Sequence, residues 1–186
     1  VHAIGAESAQ EAVAHAGNEQ LTSLVRAELD MQARELVLVF DDVVDPDTLK
    51  VEHVQVQSGQ GVVGGAGSGV VAYGLLADGG SETRSDVGFS VVISLGAADV
   101  LGLALVGGVG RDAGRSYVSL GAAALDDIAG RDIVALPEDR ALQVAEYVAD
   151  TRAPEVVDVS VNMTAETIAL RFSEAVNVST LQADAL

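Results

Sequence analysis

The sequence predicts an all-β sandwich with at most one short helix. Three observations carry that prediction. The apolar residues are dominated by valine and fall in short, often alternating runs; clusters of Gly, Ser, Asp and Asn separate those runs; and one stretch of sequence begins a second time further along the chain.

Taken in order, the first segment is the exception. Ala6–Ala16, with Glu7, Gln10, Glu11 and several alanines, has helix propensity, but the repeat described below assigns it instead to a closing strand. Strands are expected at Leu36–Phe40, Val54–Gln57, Val70–Leu76, Val87–Leu95, Tyr117–Leu120 and Val156–Val161. In Leu36–Phe40 the leucines and Phe40 fall on one face and the valines on the other. That strand can bury both faces in part, or one in a sandwich and the other against a neighbour. Ala97–Val106 is rich in Leu and Ala and poor in β-branched residues, which predicts the one short helix. The glycine-rich run through Ser58–Gly69 reads as a flexible surface loop. A phosphate cradle is disfavoured because no Lys-Ser/Thr pair follows it and no helix start is evident.

The internal repeat is the most informative feature. An offset of 132 residues (172 − 40) sets the stretch beginning at Leu21 over the stretch beginning at Ala153 without a gap. Both methionines coincide, Met31 over Met163, and Val25, Ala33, Leu38, Phe40, Val44, Thr48 and Leu49 fall on identical residues. Conservative pairs include Asp30 with Asn162, Leu36 with Ile168 and Asp45 with Asn177. Carried backward, the offset lays Ala9–Gly17 over Ala141–Ala149. The expected organisation is therefore residues 1–20 as the last strand of a preceding repeat, 21–152 as a complete repeat, and 153–186 as the first strands of the next. With Val1 in place of methionine and the last residues inside a strand motif, the chain reads as a window on something longer.

The repeat carries a resemblance. The linker Ala149-Asp150-Thr151-Arg152-Ala153-Pro154-Glu155, the strand after it and Leu170-Arg171-Phe172-Ser173-Glu174-Ala175-Val176-Asn177 resemble tandem immunoglobulin-like repeats of very large surface proteins, in which a D-T-x-A-P linker leads to a T-F-S-E-x-V-D element. Ser116–Leu120, Leu125–Arg131 and Ala141–Val144 are similar to that family's T-Y-L-S, D-x-A-G-N and A-L-Q-V runs. Such repeats occur in bacterial adhesins and in giant extracellular proteins of algae and other protists, including flagellar-hair (mastigoneme) proteins. The resemblance implies an immunoglobulin-like sandwich, an extracellular or flagellar-surface location and a structural role. The chain departs from the pattern at Gly17–Thr22, where the linker motif is lost, and at Val39-Phe40-Asp41-Asp42, which replaces F-S-E.

Composition narrows the function classes independently. The chain has 186 residues, 49% hydrophobic and 20% charged, enough apolar material to exclude intrinsic disorder. A formal net charge of −18 opposes nucleic-acid backbones and anionic lipid. No apolar run is long enough to insert in a membrane. The absence of cysteine removes disulfides, thiolate metal sites and a cysteine nucleophile. With 3% aromatic residues the core must be Val, Leu, Ile and Ala, which suits a modest repeated sandwich better than a stacking pocket.

Few side chains point to chemistry. No G-x-S-x-G, H-E-x-x-H or Cys–His pattern exists, His2, His15 and His53 are scattered, and no enzymatic activity is expected. The acidic run from Asp41 to Glu52 fails as an EF-hand, because Pro46 stands where glycine is required and Val43 where an oxygen ligand belongs. Linker and loop carboxylates Asp126, Asp127 and Asp150 are candidates for calcium at a repeat junction, calcium being the one cofactor considered. Asn162-Met163-Thr164 and Asn177-Val178-Ser179 are N-glycosylation sequons, and Asn162, at an expected hairpin turn, is the better acceptor. The expected partners are copies of the chain itself or other filament subunits. The alternative is a calcium-dependent adhesin repeat binding glycans or a partner surface.

Overall fold

The structure, a computed structural model, describes residues 19–174, 176, 178 and 182. The expected closing strand in residues 1–18, and the second sequon asparagine, Asn177, lie outside the described residues. Among the described residues the fold is all-β with one α-helix, as the sequence predicts. In chain order its elements are β1 Leu24–Asp30, β2 Glu35–Asp45, β3 Val54–Gln57, β4 Ala72–Gly74, β5 Glu82–Thr83, β6 Gly88–Ser94, α1 Ala97–Leu105, β7 Tyr117–Leu120, β8 Asp126–Asp127, β9 Leu142–Gln143, β10 Glu146–Val148, β11 Val156–Asn162 and β12 Thr167–Phe172.

Three sheets form. The first runs β10-β1-β2-β6-β5, with β8 also on β2; the second runs β4-β3-β7-β9; and β11 pairs only with β12. The first two sheets share one core. Ala27 and Leu29 of β1, Leu36, Leu38 and Phe40 of β2 and Val91 and Ile93 of β6 pack in the same cluster as Val54 and Val56 of β3 and Val118 and Leu120 of β7. Alternation explains it: in β2 the leucines and Phe40 are buried while Val37 and Val39 are half-buried on the other face, so the strand uses both faces, the first more fully. Each large buried aliphatic contributes roughly 1.5–3 kcal/mol.

The β1–β2 turn is fixed locally. Asp30 Oδ1 accepts the Ala33 N–H at 2.7 Å, and Arg34 closes the turn in the left-handed region with φ 61. At the other end a bulge between Leu24 and Arg26 resets the register.

β10 lies parallel to the last three residues of β1, Glu28 opposite Glu146 and Asp30 opposite Val148, and Met31 N–H donates to Val148 O at 2.8 Å. The chain therefore enters at the open end of the β1–β2 hairpin and leaves at its turn end. Arg26, bonded to Glu28 and to Glu146, ties the two parallel strands together.

Two expectations need correction. The strand at Val70–Leu76 shortens to β4, and Val70 is a buried residue outside it. The glycine-rich run is pinned rather than free. Glu138 accepts the Val63 N–H through Oε2 at 2.9 Å and the Gly61 N–H through its carbonyl at 3.1 Å, and the buried Gln57 amide donates to Gly59 O and Glu138 O. Glu138 lies some eighty residues away in sequence, which is why composition alone reads the segment as loose.

α1 starts at Ala97, as expected, and is held by Asp99. That fully buried carboxylate accepts hydrogen bonds from Tyr73 Oη (2.9 Å), Leu76 N–H (3.0 Å) and Ser81 Oγ (2.5 Å). Gly79 is required beside it, since a Cβ there would sit 2.5 Å from Asp99 Oδ2. The Tyr73 phenol is pushed up to about 12, by burial first and then by its hydrogen bond to Asp99 and that group's charge.

Candidate functional site

The second hairpin reproduces the first position for position. β11 begins 132 residues after β1 and β12 begins 132 residues after β2. Leu24 pairs with Phe40 as Val156 pairs with Phe172; Leu29 pairs with Leu36 as Val161 pairs with Ile168; and the bulge recurs between Val156 and Asp158. Glu166 (φ 53) stands in the left-handed region where Arg34 does. Asn162 Oδ1 accepts the Ala165 N–H at 2.9 Å, repeating Asp30 and Ala33. Met31 and Met163 therefore open equivalent turns.

What differs is cover. Leu29 and Leu36 are 1% and 0% exposed, whereas their counterparts Val161 and Ile168 are 59% and 61% exposed. Met163 is exposed where Met31 packs against the core.

The segment between β10 and β11, Ala149–Glu155, has no regular secondary structure and is fastened to the first hairpin. Thr151 Oγ1 bonds Gln32 Oε1 at 3.0 Å, and the Arg152 guanidinium donates to Gln32 O, so two linker side chains grip the β1–β2 turn. Asp150 Oδ1 accepts the Arg152 N–H at 3.0 Å and lies 3.7 Å from its Nε. Arg34 then lines a recess with Arg152, Ala153, Glu155, Ser173 and Glu174, where the turn of one hairpin meets the open end of the next. That open end is itself bonded: Glu155 N–H donates to Ser173 Oγ at 2.9 Å and Ser173 N–H to Glu155 O at 2.8 Å. Pro154 fixes one backbone angle and restricts Ala153. The sequence motif marks Thr151 and Arg152 as linker residues; Gln32 escapes notice because an exposed turn glutamine has no signature.

The calcium candidates do not assemble. Among the described residues no three His, Asp or Glu side chains form a group able to hold a metal ion. Asp127 is committed elsewhere. It is buried, accepts the N–H groups of Ala129 (2.8 Å) and Arg131 (3.0 Å), and pairs with the Arg131 guanidinium at 2.6 Å. Burial pushes its carboxyl up, but the hydrogen bonds from Arg131 and Ala129 and the Arg131 charge outweigh that and hold it below the ordinary range. Gly130, at φ 72, completes this turn, so the D-D-I-A-G-R run is a structural cap. Asp126 is half-buried on β8 opposite Asp45, and Asp150 serves the linker.

Asn162 is exposed, with its carbonyl oxygen closing the turn through Thr164 and Ala165 N–H. Its amide nitrogen is left for solvent, as a sequon requires, while the same turn with Asp30 shows that capping alone accounts for an Asx residue here. His53 and Glu52 line an open cleft of about 660 Å³ with Gln55, Ser119, Gly121 and Glu138. Within that lining, Glu138 accepts hydrogen bonds from Gln55 Nε2 (3.3 Å) and Val63 N–H (2.9 Å). No helix among the described residues is long and apolar enough to cross a membrane. No family model, curated protein or solved structure matches the chain.

Proposed function

We propose that this chain is a structural, non-enzymatic segment of a long extracellular filament or stalk, of the flagellar-hair or cell-surface-fibre kind, built from tandem immunoglobulin-like sandwiches. One observation carries the reading: the chain leaves the first sandwich at the end opposite its start, and there begins the same hairpin again in the same register. A unit whose ends lie at opposite poles propagates head to tail, and a linker gripping the preceding turn resists bending.

Length follows from the geometry. A hairpin of about eight residues at about 3.3 Å per residue, plus the junction, advances the chain by roughly 30–40 Å per repeat. Electron microscopy of the native assembly tests the reading. A fibre with that axial spacing, unchanged by chelator, is expected; isolated compact particles, or a shape that lengthens only on calcium addition, contradict it and favour an adhesin.

A further inference from the structure

We propose that the cleft over β3 and β7 binds an aliphatic cation, an ammonium or guanidinium group carried on an apolar stem. Ser119 carries the inference. Val118 and Leu120 on either side of it belong to the core, so alternation turns Ser119 to the opposite face of β7, where it lines the cleft. Ser119 is only 5% exposed, yet its hydroxyl has no hydrogen-bond partner among the described residues. A polar group so placed costs stability unless something in the cleft bonds to it.

The rest of the lining fixes the class of ligand. Three carboxylates stand in it, Glu52, Glu138 and Asp139, and no Lys or Arg does. Glu138 is bonded to Gln55 and to the Val63 N–H, which holds the glycine-rich segment and its Val62 wall in place. Glu52 and Asp139 have no ion-pair or hydrogen-bond partner for their side chains among the described residues. A metal ion is a poor answer to that charge, because no three of these groups converge as ligands. An organic cation needs no such convergence. Val62, Ala135, Leu136 and Pro137 give the cleft an apolar wall for a methylene stem, and no Phe, Tyr or Trp is there for a flat ring to stack on. Gln55 and His53 supply the remaining polar lining. None of the lining residues belongs to the linker or to the β11–β12 hairpin, and the inference does not depend on the filament reading. Two sources offer this chemistry, a free aliphatic amine or a Lys or Arg side chain of another protein.

Titration of the 186-residue chain with butylamine, followed by amide chemical shifts at about 0.15 M salt, tests it. Saturable shifts at Gln55, Ser119 and residues 136–139 are expected. Ser119→Ala should weaken binding about three- to tenfold while leaving the unfolding temperature of the free chain unchanged or raised, since the hydroxyl it removes has no partner. Glu52→Gln, at an exposed position, should weaken binding as well, and Asp158→Asn on the distant hairpin should not. Lysine blocked at both its amino and carboxyl groups, titrated in parallel, separates the sources. Binding as tight as that of butylamine means a protein side chain fits, and exclusion means a free amine. Four results overturn the proposal. The shifts may fail to saturate; they can spread over the acidic surface and vanish at about 0.5 M salt, as for a counterion atmosphere. Butanol can bind as well as butylamine, which makes the site merely apolar. Ser119→Ala can destabilise the chain, which means its hydroxyl is bonded internally.

Discussion

Asp127 shows how one residue can look like a ligand and act as a cap. Four donors converge on its buried carboxylate, two of them backbone N–H groups of the exposed turn that follows it. Asp127→Ala should destabilise the fold by about 3 kcal/mol in urea titration, and calcium should not restore it. The group titrates below its ordinary value of 3.8 when folded, so the unfolded chain binds its proton more readily. The stability it contributes is complete above that ordinary value and is lost as pH falls through the lowered folded value. Asp127→Asn should therefore lose less stability than the parent between about pH 5 and pH 2. Thr22 is the converse case: its hydroxyl is buried without a hydrogen-bond partner, and nothing in its sequence context hints at that. Thr22→Val replaces that hydroxyl with a methyl group of similar size and should raise stability by about 1 kcal/mol, read as a shift in the urea midpoint.

At the scale of elements, half of the strands among the described residues, β2, β3, β4, β6, β7 and β11, were legible because alternation and valine density are local signals. Leu36–Phe40, Val54–Gln57 and Tyr117–Leu120 all lie in strands, and the helix at Ala97 ends within one residue of its expected stop. β1, by contrast, reads as Leu-Val-Arg-Ala-Glu-Leu-Asp, helix-prone in isolation; pairing with β2 and β10 overrides propensity, and the repeat is the clue to it. The anchoring of the glycine run by Glu138 and the grip of Arg152 on Gln32 were not legible, because both join residues remote in sequence. The linker grip has a mechanical consequence. Gln32→Gly removes the side-chain acceptor for Thr151 and loosens the turn, and Arg152→Ala removes the donor to the Gln32 carbonyl. The pair of substitutions should widen the distribution of orientations between the two hairpins, seen as reduced alignment of residual dipolar couplings for β11–β12. Amide protection of the first sandwich should be unaffected.

For the molecule as a whole, polarity is the property that matters: parallel β1 and β10 put the start and finish of one sandwich at opposite poles, and the linker hands the chain on at the far pole. In the proposed rod, the net acidic charge keeps neighbouring rods apart laterally. The repeat was visible as a sequence offset, but the direction of travel was not, since it depends on β10 lying parallel to β1. Because the chain has no cysteine, Ala33→Cys with Ala165→Cys places two spin labels at equivalent exposed turn positions. Pulsed electron–electron resonance at low protein concentration should give one narrow distance of about 30–40 Å, the length of one hairpin plus its junction. A distance under about 20 Å, with the two hairpins lying side by side, or a broad distribution with no preferred separation, would contradict the head-to-tail account.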